Sequence, residues 1–141
     1  MHQWCLMCLT ISFLFSVGLS PLSAGVIWVD AHADINTPLT TNSGHIHGMC
    51  VSLLMKHPDS IKAPEYAWLQ DYPALDPRRL VYIGLRDLDV GEKATIRKYG
   101  IKAFTMKEVD RYGIGSVMEQ AIDHLRSRED RPIHLTFDIG T

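Results

Sequence analysis

Residues 26–34 read VIWVDAHAD, an apolar run rich in β-branched residues and then two carboxylates alternating with one imidazole. The run has the length and composition of a strand. Its unbroken hydrophobicity suits a sheet covered on both faces. Three later stretches follow the same pattern: Leu80–Leu85, Lys102–Thr105 and Ile133–Ile139. Between them the spacing predicts helices over Met49–Lys56, over Glu92–Tyr99 with Gly100 as its C-cap, and over Ile114–Arg128. In the last of these Val117, Ala121, Ile122 and Leu125 share one face. The stretch Pro58–Pro77, punctuated by Pro64 and Pro73, reads as a surface loop. Alternating strands and helices give an α/β fold with a mainly parallel sheet.

Charge divides the chain in two. It has 141 residues, with 14 Lys+Arg against 16 Asp+Glu and a formal charge of −2, and every charged side chain lies at Asp30 or beyond. The absence of a basic run excludes a nucleic-acid or anionic-lipid surface, which needs clustered cations to displace counterions. Hydrophobic residues at 46% and charged residues at 21% exclude a disordered chain. Residues 1–25 form an apolar leader, signal-like or non-native, and residues 26–141 a partial α/β domain. The run Cys5–Leu19 has the length of a signal-peptide core, shorter than a membrane span, and small residues follow it. Met1–Trp4 carries no Lys or Arg, however, and no A-x-A site follows. Cys5, Cys8 and Cys50 make no disulfide framework. Cys5-x-x-Cys8 lacks the second pair or histidines of a zinc site.

In open α/β sheets ligands bind beyond the carboxyl ends of the strands. Asp30 follows the first strand, Arg86-Asp87 follow the second and Asp138 lies near the end of the fourth, so three strand ends meet at one rim. Asp30-Ala31-His32-Ala33-Asp34 offers two carboxylates and one imidazole there. Such oxygen-rich ligation suits Mn²⁺ or Mg²⁺ better than zinc, and bridging carboxylates can hold two cations about 3.5–4 Å apart to ionise water at neutral pH. Spacing alone also allows a plainer reading, an Asp cap and a surface His in a turn. The next segment, Asn36 to Gly48, is dense in small donors and acceptors, as a polar-ligand loop should be.

Taken together, VIWVDAHADINTPLTTNSGHIHG, LVYIGLRDLDVGE and RPIHLTFDI resemble the arginases of the ureohydrolase family, in the same order and over about residues 26–139. The resemblance implies a three-layer α/β/α fold and hydrolysis of L-arginine to L-ornithine and urea with a pair of Mn²⁺ ions. It makes Asp30, His32, Asp34 and Asp138 metal ligands, with Asp30 and Asp138 bridging. Asp34 would pass a proton to the leaving amine, and His47 would shuttle protons near the mouth. Asn36, Thr41 and Ser43 would hold the substrate α-carboxylate, with Asp89 and Glu92 toward the α-amino group. It also implies a homo-oligomer and an intracellular setting, cytosol or mitochondrion, the secretory route applying if the leader works as a signal.

The resemblance has departures. Arginases carry a further His ligand in G-G-D-H, absent here; Gly140 stands where a second acidic ligand is expected, and His45 where Asn is usual. On these grounds this chain alone is expected to be weak or inactive. The other readings are a noncatalytic metal-binding or interaction fragment, and an incomplete or alternatively spliced product. Taken singly, His45, His57, His124 and His134 read as surface or packing residues and Arg86-Asp87 as a strand-end pair. Glu92 reads as a first-turn acid and Met49, Met55 and Met118 as core filling.

Overall fold

The computed structural model describes residues 24–62, 64–127 and 130–138; the leader expected over residues 1–25 lies almost wholly outside them. Four parallel strands, β1 (Gly25–Val29), β2 (Leu80–Leu85), β3 (Lys102–Thr105) and β4 (Ile133–Phe137), form one sheet in the order β3-β2-β1-β4. β1 therefore sits between β2 and β4, with Val29 level with Ile83 on one side and Phe137 on the other. The helices are α1 (Cys50–Leu54), α2 (Val90–Tyr99), α3 (Met106–Tyr112) and α4 (Ile114–Arg126). Among the described residues no helix is long and apolar enough to cross a membrane.

The alternation of side chains along β1 and β2 builds two cores. Val26, Trp28, Leu80 and Tyr82 point to one face, where Ile35, Val51, Leu53 and Leu69 close over them and Ile96 and Tyr99 of α2 pack alongside. Ile27, Val81 and Ile83 point to the other, with Phe104 and the α4 stripe Val117, Ala121 and Leu125. These layers are the α/β/α arrangement of the resemblance. The expected apolar face of α4 is the buried one, and Met49, Met55 and Met118 do fill core space. At β4 the second face is open, leaving Leu135 51% and Phe137 63% exposed.

Element ends differ from expectation in ways the local chemistry explains. The stretch Met49–Lys56 opens as a 3₁₀ turn, Ile46–Met49, and becomes α-helical only over Cys50–Leu54. α2 begins at Val90 because Asp89 and Glu92 close a capping box ahead of it, and Gly100 ends it in the left-handed region at φ 62°. The expected loop holds a 3₁₀ segment, Pro64–Asp71. α3 was not foreseen; Thr105 and Glu108 cap it as T-x-x-E, a pattern readable in the sequence. β4 stops at Phe137, so Asp138 stands past the strand and not within it, its N–H on the Val29 carbonyl at 2.9 Å. Cys50, one of three cysteines expected to make no disulfide framework, is disulfide-bonded.

Candidate active site

The end of β1 is fastened to β2 before the chain turns. The Asp30 N–H donates to the Ile83 carbonyl at 3.1 Å, and the Ala31 carbonyl accepts from the N–H groups of Arg86 and Asp87 at 2.9 and 3.0 Å. The Asp30 side chain is buried, 4% exposed, and accepts from the His32 N–H at 2.9 Å. Asp34 then takes a left-handed conformation at φ 50°, uncommon for a residue with a Cβ. Two bonds hold it there: Tyr82 Oη donates to the Ala33 carbonyl at 2.6 Å and the Val51 N–H to the Asp34 carbonyl at 2.8 Å. The fold thereby keeps both carboxylates of the motif on one side of the rim.

Beyond the motif lies a pocket of about 180 Å³. Asp34, His47, Asn36, Thr41 and Ser43 line it, and Asp89 and Glu92 close it from the β2–α2 side. Every catalytic and substrate-binding residue expected from the sequence is therefore gathered at one cavity. Its arrangement rests on charge-assisted bonds: Asp89 accepts from Asn36 Nδ2 at 2.9 Å and from Asn42 Nδ2 at 3.0 Å. Glu92 is 4% exposed and spends both oxygens on backbone donors, the Ile35 N–H at 3.2 Å and the Asp89 N–H at 3.0 Å. It thus ties α2 to the motif loop. Ser52 Oγ, fully buried, braces Asn36 by donating to its carbonyl at 2.6 Å.

Asp87, read as half of a strand-end pair with Arg86, instead lines this pocket, and its Oδ2 lies 3.5 Å from His32 Nε2. Arg86 turns away and donates to the Gly84 carbonyl at 3.3 Å. The sequence signal that separates them is alternation: Asp87 and Asp89 fall on one side of an extended stretch and Arg86 and Leu88 on the other. His45 is exposed, its ring centroid 5.1 Å from that of His47.

Carboxylate crowding dominates the electrostatics. Burial, followed by the charges of Asp30, Glu92 and Asp138, pushes the Asp34 carboxyl up to about 8. Burial also raises Asp30, against the opposing pull of the His32 N–H and with Asp138 adding to the rise. Glu92 rises through burial as well, despite its two backbone donors. Three acids pushed up together at a rim that Asp138 also reaches form a donor set whose missing complement is positive charge. The residues that the resemblance makes Mn²⁺ ligands, Asp30, His32, Asp34 and Asp138, are thus of fitting chemistry. His32 Nδ1 stands 3.4 Å from Asp30 Oδ1. Asp30 and Asp138 sit outside the pocket lining, and among the described residues no three His, Cys, Asp or Glu side chains close on one metal ion.

Comparison with known proteins decides the relationship. The model of the arginase family matches residues 12–141. The chain belongs to the arginase family. It is 52% identical over 118 residues to the arginase of Glaciozyma antarctica, covering 82% of this chain and 34% of that one. It is likewise 52% identical over 120 residues to human arginase-1, covering 82% and 36%. The crystal structure of the Glaciozyma antarctica arginase superposes with a TM-score of 0.78 over 92% of this chain and 45% of that one, at 50% identity. That of the Entamoeba histolytica arginase in complex with L-ornithine gives 0.68 over 83% and 37%, at 37% identity. The chain thus spans about a third of the length of the curated arginases it matches.

Proposed function

We propose that this chain carries the substrate wall and part of the manganese site of an arginase, acting in hydrolysis of L-arginine to L-ornithine and urea. The observation that carries this is the single pocket in which Asp34, His47, Asn36, Thr41, Ser43 and Asp89 meet. Hydroxyl and amide donors from Asn36, Thr41 and Ser43 suit an α-carboxylate, and the Asp89 carboxylate suits the neighbouring ammonium. Glu92, with both oxygens on backbone N–H groups, serves that end by holding Asp89 in place and adding negative charge.

Asp30, His32, Asp34 and Asp138 would hold Mn²⁺, which when bound supplies Lewis-acid activation of water for attack on the guanidinium carbon. Asp34, on the wall of the pocket, would pass a proton to the leaving amine. His47, exposed where the pocket opens, can exchange that proton with solvent. The same reading implies a homo-oligomer working in the cytosol or mitochondrion.

The test is release of urea and ornithine from L-arginine by the purified chain with Mn²⁺, beside Asp34→Asn and Ser43→Ala. Mn²⁺- and Asp34-dependent release supports the proposal, with Ser43→Ala raising KM more than it lowers kcat. The buried, raised carboxyls of Asp30 and Asp34 also fit a second reading, a noncatalytic metal-binding segment. Calorimetric Mn²⁺ uptake lost in Asp30→Asn, without urea release, would select it.

A further inference from the structure

Back to back with the acidic pocket, across the same stretch of chain, lies a second hollow of about 290 Å³. Its floor is apolar, from Leu85, Leu88 and Met106, and its rim carries Arg86, Lys93 and Lys107. The segment from Leu85 to Lys93 makes both walls: Asp87, Asp89 and Glu92 face the acidic pocket, while Arg86, Leu88 and Lys93 face this one. The hollow opens where β2 and β3 lose register, between Ile83 and Leu85, with Gly84 at φ 90°.

Three cations, Arg86, Lys93 and Lys107, line the hollow. Among the described residues no carboxylate lies within ion-pair distance of Arg86, Lys93 or Lys107. Glu108, whose charged form Lys107 favours, turns its carboxylate back onto the Thr105 N–H and hydroxyl. The Arg86 guanidinium is anchored on the Gly84 carbonyl through Nη1, so one cation has a fixed place while the two exposed ammonium groups can fold inward. Like charges gathered round a concavity raise the local concentration of counter-ions of the opposite sign. An apolar floor beneath them adds affinity for hydrocarbon that a bare inorganic anion cannot use.

We propose that this hollow is a binding site for a small amphipathic anion, a monocarboxylate with a short hydrocarbon tail, held by Arg86, Lys93 and Lys107 at its head and by Leu85, Leu88 and Met106 along its tail. The site is separate from the acidic pocket and its occupancy does not depend on the proposed hydrolysis. Because one backbone segment supplies both walls, a bound anion is felt at Asp87 and Asp89.

The experiment is a titration of the ¹⁵N-labelled full chain with sodium 4-methylpentanoate, followed by amide shifts, against sodium chloride and sodium sulfate at matched ionic strength. Saturable shifts at residues 85–93 and 105–107 are expected with the carboxylate alone. Lys93→Gln/Lys107→Gln should weaken binding by about tenfold or more, as loss of two charge-assisted contacts predicts. Met106→Gln, at a half-buried position, should weaken the carboxylate without creating sulfate binding. Shifts that chloride reproduces, binding unchanged in the double lysine variant, or sulfate binding as tightly as the carboxylate would each overturn the proposal.

Discussion

The two halves of the acidic pocket are built differently. Residues 30–37 form an inner wall in which Ala33, Ile35 and Thr37 are almost fully buried and the carbonyls of Ala33, Asp34 and Asn36 accept from Tyr82 of β2 and from Val51 and Ser52 of α1. Residues 42–47 form an outer lip that is exposed throughout, held by local bonds such as the Gly44 N–H on Thr41 Oγ1 and the His45 N–H on Ser43 Oγ and tied to the far side through Asn42 on Asp89. The backbone of the inner wall thus sits where displacement is costly, and that of the lip where it is cheap. A cation site needs like charges held close against their repulsion, whereas a small polar substrate must enter and leave.

Substitution in the inner wall should produce the largest effect. Ile35→Ala removes a side chain only 1% exposed that packs among Trp28, Val51 and Tyr82. It should cost about 2–5 kcal/mol in urea unfolding. A loss below about 1 kcal/mol would show that the inner wall is no more fixed than the lip.

Next comes pH. The Asp34 carboxyl is raised in the folded chain above its unfolded value, so the native state keeps a proton that the unfolded state releases. Stability of the metal-free chain should therefore fall as pH rises from about 4 to about 8 and level off above. Asp34→Asn should flatten the unfolding midpoints measured across that range, with Asp30 and Glu92, raised in the same direction, leaving a residual slope. Midpoints that rise with pH would contradict the crowding of acids at this wall.

Ser52→Ala probes the brace behind Asn36. The hydroxyl donates at 2.6 Å to the Asn36 carbonyl, lies 2.8 Å from the Met49 carbonyl and from Ser60 Oγ, and is fully buried. Losing it should cost about 1–3 kcal/mol, with pocket amides shifting near Asn36 and Asp89.

The inner wall is also the part most legible in the sequence. A strand of unbroken hydrophobicity followed by Asp30-x-His32-x-Asp34 announces both the sheet and the rim, and the parallel α/β class follows from what alternates with it. Legibility falls where partners are distant in the chain. Ser52 and Tyr82 look like ordinary helix and strand residues until the fold puts their hydroxyls on the backbone of Asn36 and Ala33. Alternation along residues 86–89 separates Asp87 from Arg86, but which side meets which cavity is set by the fold. α3 was missed because seven residues carry too little periodicity, although its Thr105-x-x-Glu108 cap was there to be read.

The outer lip should give the smallest stability effect and so the sharpest contrast. Ile46 is 41% exposed and His45 carries no bond that spans the pocket. His45→Asn and Ile46→Ala should each change unfolding free energy by less than about 0.5 kcal/mol, the range of surface substitutions. If the lip serves substrate entry, His45→Asn should nonetheless alter the KM for L-arginine while leaving Mn²⁺ uptake unchanged. Its ring lies against His47, so a change in Mn²⁺ affinity would mean that lip and wall act as one unit.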